Sequence, residues 1–138
     1  MAQALILDAE PLNALAHAGQ RRALAERAHA VVRVARDERA VVRVPAPVLA
    51  ELCRTPALDA AIQRVLNGRG IGVIDLTPGL SRHAGALLGR AKLDSTHAVD
   101  AFVVATAARF ESAIIATHDP TDLTRLAAGL RGVRILAV

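Results

Sequence analysis

The chain has 138 residues, enough to bury a core and within the size of one ordinary domain. Its hydrophobic fraction is 53%, yet no uninterrupted apolar run nears the ~18 residues of a membrane span. Asp8 interrupts the first apolar run and no basic segment precedes it, so a secretory signal is not expected and a cytoplasmic setting is. The formal charge of +4, carried almost wholly by arginine, points to an acidic partner, with nucleic acid the commonest.

With no Trp or Tyr, and only Phe102 and Phe110 as aromatics, stacking of bases on an aromatic surface is disfavoured. Any nucleic acid should be held through its phosphates. The single cysteine, Cys53, can form no internal disulfide; it reads as a small buried apolar residue on a helix. His17, His29, His83, His97 and His118 show no zinc-ligand spacing.

In chain order, residues 4–7, ALIL, predict a short strand with Asp8 at its carboxyl end. Pro11 opens an apolar-periodic segment that Gly19 can close. Residues 20–38 are Arg-rich, with apolar positions at Leu24, Ala28, Val31 and Val32, and predict one helix or two short ones with a basic outer face. Residues 40–44, AVVRV, predict a second strand, broken by Pro45 and Pro47. Pro47 begins a helix carrying Val48, Leu49, Glu51, Leu52 and Cys53, and a glutamate set among apolar residues can point into a cleft. Thr55 and Pro56 cap a further helix to about Leu66, ended by a turn at residues 67–70. Residues 71–76, IGVIDL, predict a third strand, and Thr77 with Pro78 starts a helix to about Leu93. This alternation argues for a mostly parallel sheet with helices on both faces.

Residues 97–110, HAVDAFVVATAARF, form the most hydrophobic helix and read as a central, mostly buried element. Asp100 lies in its first turn, on the side of Val103, Val104 and Ala107. A lone carboxylate there is costly unless paired; the helix N-terminus offsets part of that cost and a bound cation would offset more. In residues 112–123, SAIIATHDPTDL, the stretch 113–116 predicts a strand buried on both faces. Asp119 follows as N-cap, Pro120 as first helical residue and Asp122 three residues after the cap. Residues 133–138 supply a last strand, and no repeat or linker interrupts what reads as a single domain over 1–138.

Asp8, Glu51, Asp100 and Asp119 thus occupy two strand ends, one apolar helix and the start of another. Each has a plain structural explanation: Asp8 as a cap, Glu51 in a salt bridge, Asp119 with Asp122 as a capping arrangement. Their residue type suits a harder task. Carboxylates are hard ligands for Mg²⁺ or Mn²⁺, and without an ion crowded acids repel, so that some take up protons near neutral pH. Arg21, Arg22, Arg33, Arg36, Arg39 and Arg43 are candidates to steer substrate phosphates.

The segments LILDAEPLNAL, PAPVLAELCR, VDAFVVATA and IIATHDPTDL, in this order and spacing, resemble the motifs of the PIN-domain family. Within it they are similar to the small VapC-type ribonuclease toxins of bacterial toxin–antitoxin pairs, over essentially the whole chain from Leu5 to Val138. The resemblance implies an α/β/α sandwich around a mostly parallel sheet. It also implies an Mg²⁺- or Mn²⁺-dependent endoribonuclease that leaves a 5′-phosphate and a 3′-hydroxyl, a small cognate antitoxin and a homodimer. Asp8, Glu51, Asp100 and Asp119 match the family's four acids. Asp122 falls on a further acidic position, and Thr117 on a hydroxyl position that helps hold metal or water. Many members carry Ser or Thr shortly after the first acid, where this chain has Ala9, Glu10 and Pro11; Glu10 is therefore a candidate substitute ligand. Asp94 and His97 read first as helix-start residues, and His118 as incidental. The competing expectation is a PIN-like scaffold that binds RNA or protein without cutting, disfavoured because no acid is missing. A phosphate-handling receiver or phosphatase is disfavoured because Ala9 and Glu10, not an Asp-x-Asp pair, follow Asp8.

Overall fold

The structure, a computed structural model, describes residues 3–138. Five strands, β1 (Gln3–Leu7), β2 (Val41–Pro45), β3 (Gly72–Ile74), β4 (Ser112–Thr117) and β5 (Val133–Ala137), form one sheet in the order β3-β2-β1-β4-β5. Every pairing is parallel. Central β1 is buried from Ala4 to Leu7, which is why its sequence is a continuous apolar run rather than an alternating one. Edge strand β3 is shorter than residues 71–76. Among the described residues its only partner, β2, ends at Pro45 opposite Ile74, and Ala46 already begins a helix, so the pairing stops before Asp75 and Leu76.

Among the described residues the helices are α1 (Ala9–Ala16), α2 (Arg22–Asp37), α3 (Ala46–Leu52), α4 (Pro56–Arg69), α5 (Pro78–Ala91), α6 (Ala98–Ala107) and α7 (Thr121–Ala127), with a 3-10 turn at Ser95–His97. Thr55 and Thr77 cap as their sequence context suggests, each side-chain oxygen accepting an N–H three residues on. Several boundaries depart from expectation. α1 begins at Ala9 rather than Pro11, since a proline in the first turn removes only an N–H that has no helical partner. The Arg-rich segment is one helix. α4 runs on through Asn67 and Gly68 and stops where Gly70 turns left-handed at φ +63. The apolar helix of residues 97–110 resolves into the 3-10 turn and α6, with a tight turn after Ala107. Cys53 caps the C-terminus of α3, half-buried against the core rather than enclosed within it.

Helices α1 to α4 pack on one another, as do α5 to α7. Right-handed crossovers place the two groups on opposite faces, because the strand order advances from β1 to β3 and then reverses through β4 to β5. The result is an α/β/α sandwich. α6 is the most enclosed helix, with Ala101 and every residue from Val103 to Ala107 buried. On the α1–α4 face Val34 and Leu136 stay exposed beside a groove between α2 and the sheet. Among the described residues no helix is long and apolar enough to cross a membrane. The strand order makes β1 and β4 the switch point of the sheet, and the crevice outside their carboxyl ends is where such folds place ligands.

Candidate metal centre

Asp8 and Thr117 meet at that switch point. β1 and β4 align Leu7 with Ala116, and the Asp8 N–H donates to the Ala116 carbonyl at 3.0 Å. The next residue of β4 is therefore brought beside Asp8. Thr117, fully buried, donates from Oγ1 to Asp8 Oδ2 at 2.8 Å. Asp8 stands at the N-cap position of α1 but its carboxylate makes no capping bond. The plain explanation for Asp8 therefore accounts for its backbone and not for its side chain.

Asp100 projects from the first turn of α6 with a third of its side chain exposed. Its carboxyl is pushed up from 3.8 to about 6, first by burial and then by the negative charges of Asp8, Asp122 and Glu51; His97 relieves part of the strain. Glu51, on α3, is exposed as a whole residue. What burial it has, with the charges of Asp8 and Glu10 set against Arg54, raises its carboxyl above the ordinary range. Asp8 is the common neighbour of both. Asp122, in the first turn of α7, has Oδ2 3.3 Å from His97 Nδ1, and Asp100 Oδ2 lies 3.9 Å from the same nitrogen.

The structure thus gathers Asp8, Glu51, Asp100 and Asp122 from four separate segments. Asp119 is exposed and is not the N-cap: α7 starts at Thr121 with Pro120 at the cap position in right-handed helical backbone. The reason is local, since Thr117 Oγ1 accepts the Asp119 N–H at 3.1 Å and turns the chain there.

The other candidates separate cleanly. Glu10 is tied to Arg21 at 2.8 Å on the surface. Asp94 holds the helix start, accepting from the Thr96 N–H and hydroxyl, which keeps its carboxyl low. His118 Nδ1 lies 2.9 Å from the Val138 carbonyl oxygen and pins the end of the chain. Of the arginines, Arg43 is half-buried and donates to the Val42 carbonyl. Arg33 and Arg36 lie near the end of α2, which feeds the amino end of β2, so they sit toward the edge opposite the acids. Two neighbours of the acids carried only a weak sequence signal: Arg54, three residues after Glu51, and His97, three before Asp100.

Ligand atoms of His97, Asp100 and Asp122 all lie within 4.8 Å of one another, with Asp8 and Glu51 close enough to perturb Asp100. An oxygen-rich set whose acids repel one another, with one imidazole, fits a divalent cation. Three of the side chains come from elements fixed by the core, so the set is held in place before any ion arrives.

No protein-family model matches the chain, and no curated protein matches it in sequence. Among solved structures, it is similar to a chain in the crystal structure of VapBC2 from Rickettsia felis bound to a DNA fragment from their promoter. The TM-score is 0.63 at 12% identity, covering 97% of this chain and 98% of that one. The likeness is one of fold: a five-stranded parallel sheet between two layers of helices.

Proposed function

We propose that the chain is a single PIN-like domain acting as a metal-dependent endoribonuclease of the VapC toxin type. The observation that carries this reading is the grouping of His97, Asp100 and Asp122 within 4.8 Å of one another, with Asp8 at the switch point of the sheet and Glu51 near enough to help raise the Asp100 carboxyl to about 6. Asp8, Glu51, Asp100 and Asp119 are the proposed catalytic and metal-holding acids, with Thr117 and Asp122 in support. Mg²⁺ or Mn²⁺ bound there would lower the pKa of a coordinated water and neutralise charge on the scissile phosphate.

The chain's own residues do the rest. The Thr117 hydroxyl orients Asp8 by occupying one of its carboxylate oxygens. Ionised Asp100 and Asp122 favour cation over anion in the crevice, so RNA phosphates need local positive charge to approach. Arg54 borders Glu51 and supplies it. Water attacks phosphorus, the bond to the 3′-oxygen breaks, and the products carry a 5′-phosphate and a 3′-hydroxyl. A small antitoxin and a homodimer belong to the same reading, supported by the fold shared with a chain of the VapBC2 complex.

The test is incubation of wild type and Asp100→Asn with a mixed cellular RNA pool, with Mn²⁺, with Mg²⁺ and with a chelator. Discrete fragments from wild type in metal alone are expected. Equal behaviour of the two proteins, with RNA bound but intact, would instead establish the non-cutting scaffold.

A further inference from the structure

We infer that His97 supplies a nitrogen ligand to the divalent ion at this centre and thereby shifts its preference from Mg²⁺ towards Mn²⁺. The inference rests on the metal-dependent reading above and adds a ligand to its carboxylates.

His97 closes the 3-10 turn and stands at the N-cap position of α6, yet its side chain makes no capping bond. Instead the ring is turned between two acids on different helices. Its Nδ1 is 3.3 Å from Asp122 Oδ2, and at 3.9 Å from Asp100 Oδ2 it is beyond hydrogen-bond range. One imidazole nitrogen cannot satisfy both carboxylates by donating a single proton. An ion can. Ligands about 2.1 Å from an octahedral ion stand about 3.0 Å apart when adjacent and about 4.2 Å apart when opposite, and the 3.3 and 3.9 Å separations of Nδ1 from the two carboxylate oxygens fall between these.

The three residues are also placed by independent supports. Asp94 and Thr96 lock the turn before His97. Buried Ala101, Val103 and Val104 anchor α6 behind Asp100, and buried Leu123 and Leu126 anchor α7 behind Asp122. For Nδ1 to bind, the ring carries its proton on Nε2. The chemical consequence is selectivity: Mg²⁺ takes oxygen ligands, whereas imidazole suits transition ions better.

The experiment is pulsed electron paramagnetic resonance on the 138-residue chain loaded with Mn²⁺, with calorimetry of Mn²⁺ and Mg²⁺ binding alongside. Wild type should show nitrogen modulation from a directly bound imidazole. His97→Gln and His97→Asn should lose it, and with it at least about tenfold in Mn²⁺ affinity, while Mg²⁺ affinity changes much less. His118→Gln, the other histidine near the acids in sequence, should keep the signal. Mn²⁺ bound to wild type without nitrogen modulation, or modulation that survives in a His97 variant, overturns the inference and leaves the carboxylate centre intact. Failure of wild type to bind Mn²⁺ at all overturns both.

Discussion

Asp100 holds its proton to about pH 6 in the folded chain, against 3.8 ordinarily, because burial and three neighbouring carboxylates oppose its ionisation. Between those two values the folded state binds more protons than the unfolded one. The stability contributed by this group is therefore complete below about pH 4 and is lost as pH rises through about 6. In chelator, wild type should become less stable across that window relative to Asp100→Asn. At pH 7 the variant should melt higher, by a few degrees for a change on the order of 1 kcal/mol. Thermal melts from pH 4 to 7 check this, and parallel curves for the two proteins would refute it. Glu51 shifts in the same direction, so a shallower slope should remain in the variant. Added Mn²⁺ reverses the sign of the problem, since the same repulsion that raises the pKa becomes affinity for the cation.

At the scale of elements, α4 offers a paired experiment. Gly68 lies inside the helix with open space where a Cβ would stand, whereas Gly70 ends it at φ +63. Gly68→Ala should stabilise by about 0.5–1 kcal/mol, because the unfolded chain loses freedom and the helix loses nothing. Gly70→Ala should destabilise by about 1–2 kcal/mol, the cost of a side chain in left-handed backbone. Urea denaturation of both variants distinguishes this from a helix ending at residue 66, for which Gly68→Ala would bring no gain. The contrast also shows why the sequence suggested a turn across residues 67–70. Asn, Gly, Arg and Gly together look like a loop, but only the last of them has to leave the helical backbone.

At the scale of the molecule, positive and negative groups are sorted by the topology. Acids stand at the carboxyl ends of β1 and β4 with Arg54 beside Glu51, while Arg33 and Arg36 lie toward the opposite edge. On the nuclease reading, RNA held beside the acids by arginine contacts to its phosphates should lose affinity steeply between 50 and 200 mM salt. Measured on Asp100→Asn to prevent cutting, Arg54→Ala should flatten the logarithmic salt slope by about 0.7–1, the loss of one phosphate contact. Arg33→Ala should leave the slope unchanged. Fluorescence anisotropy with labelled RNA reads both, and a salt-independent affinity would eliminate phosphate binding as the mode.

What the sequence determined by itself was the succession of elements and the acids at their ends. Strands need short apolar runs rich in β-branched residues, and helix starts need caps, so ALIL, AVVRV and AIIA were readable as strands, and Thr55 and Thr77 as the caps they prove to be. Asp8 and Asp100 stood out for the same local reason, as carboxylates attached to apolar segments. Only the tertiary structure decided which side chains share the crevice. β4 pairs with β1 although Thr117 and Asp8 are 109 residues apart. The fold leaves the Asp8 carboxylate bonded to Thr117 rather than to its helix, brings the charge of Asp122 to bear on Asp100, and sets His97 between two acids on different helices. Local sequence fixes backbone within a few residues, whereas the meeting of distant carboxylates depends on strand order and crossover hand, which every segment must satisfy at once.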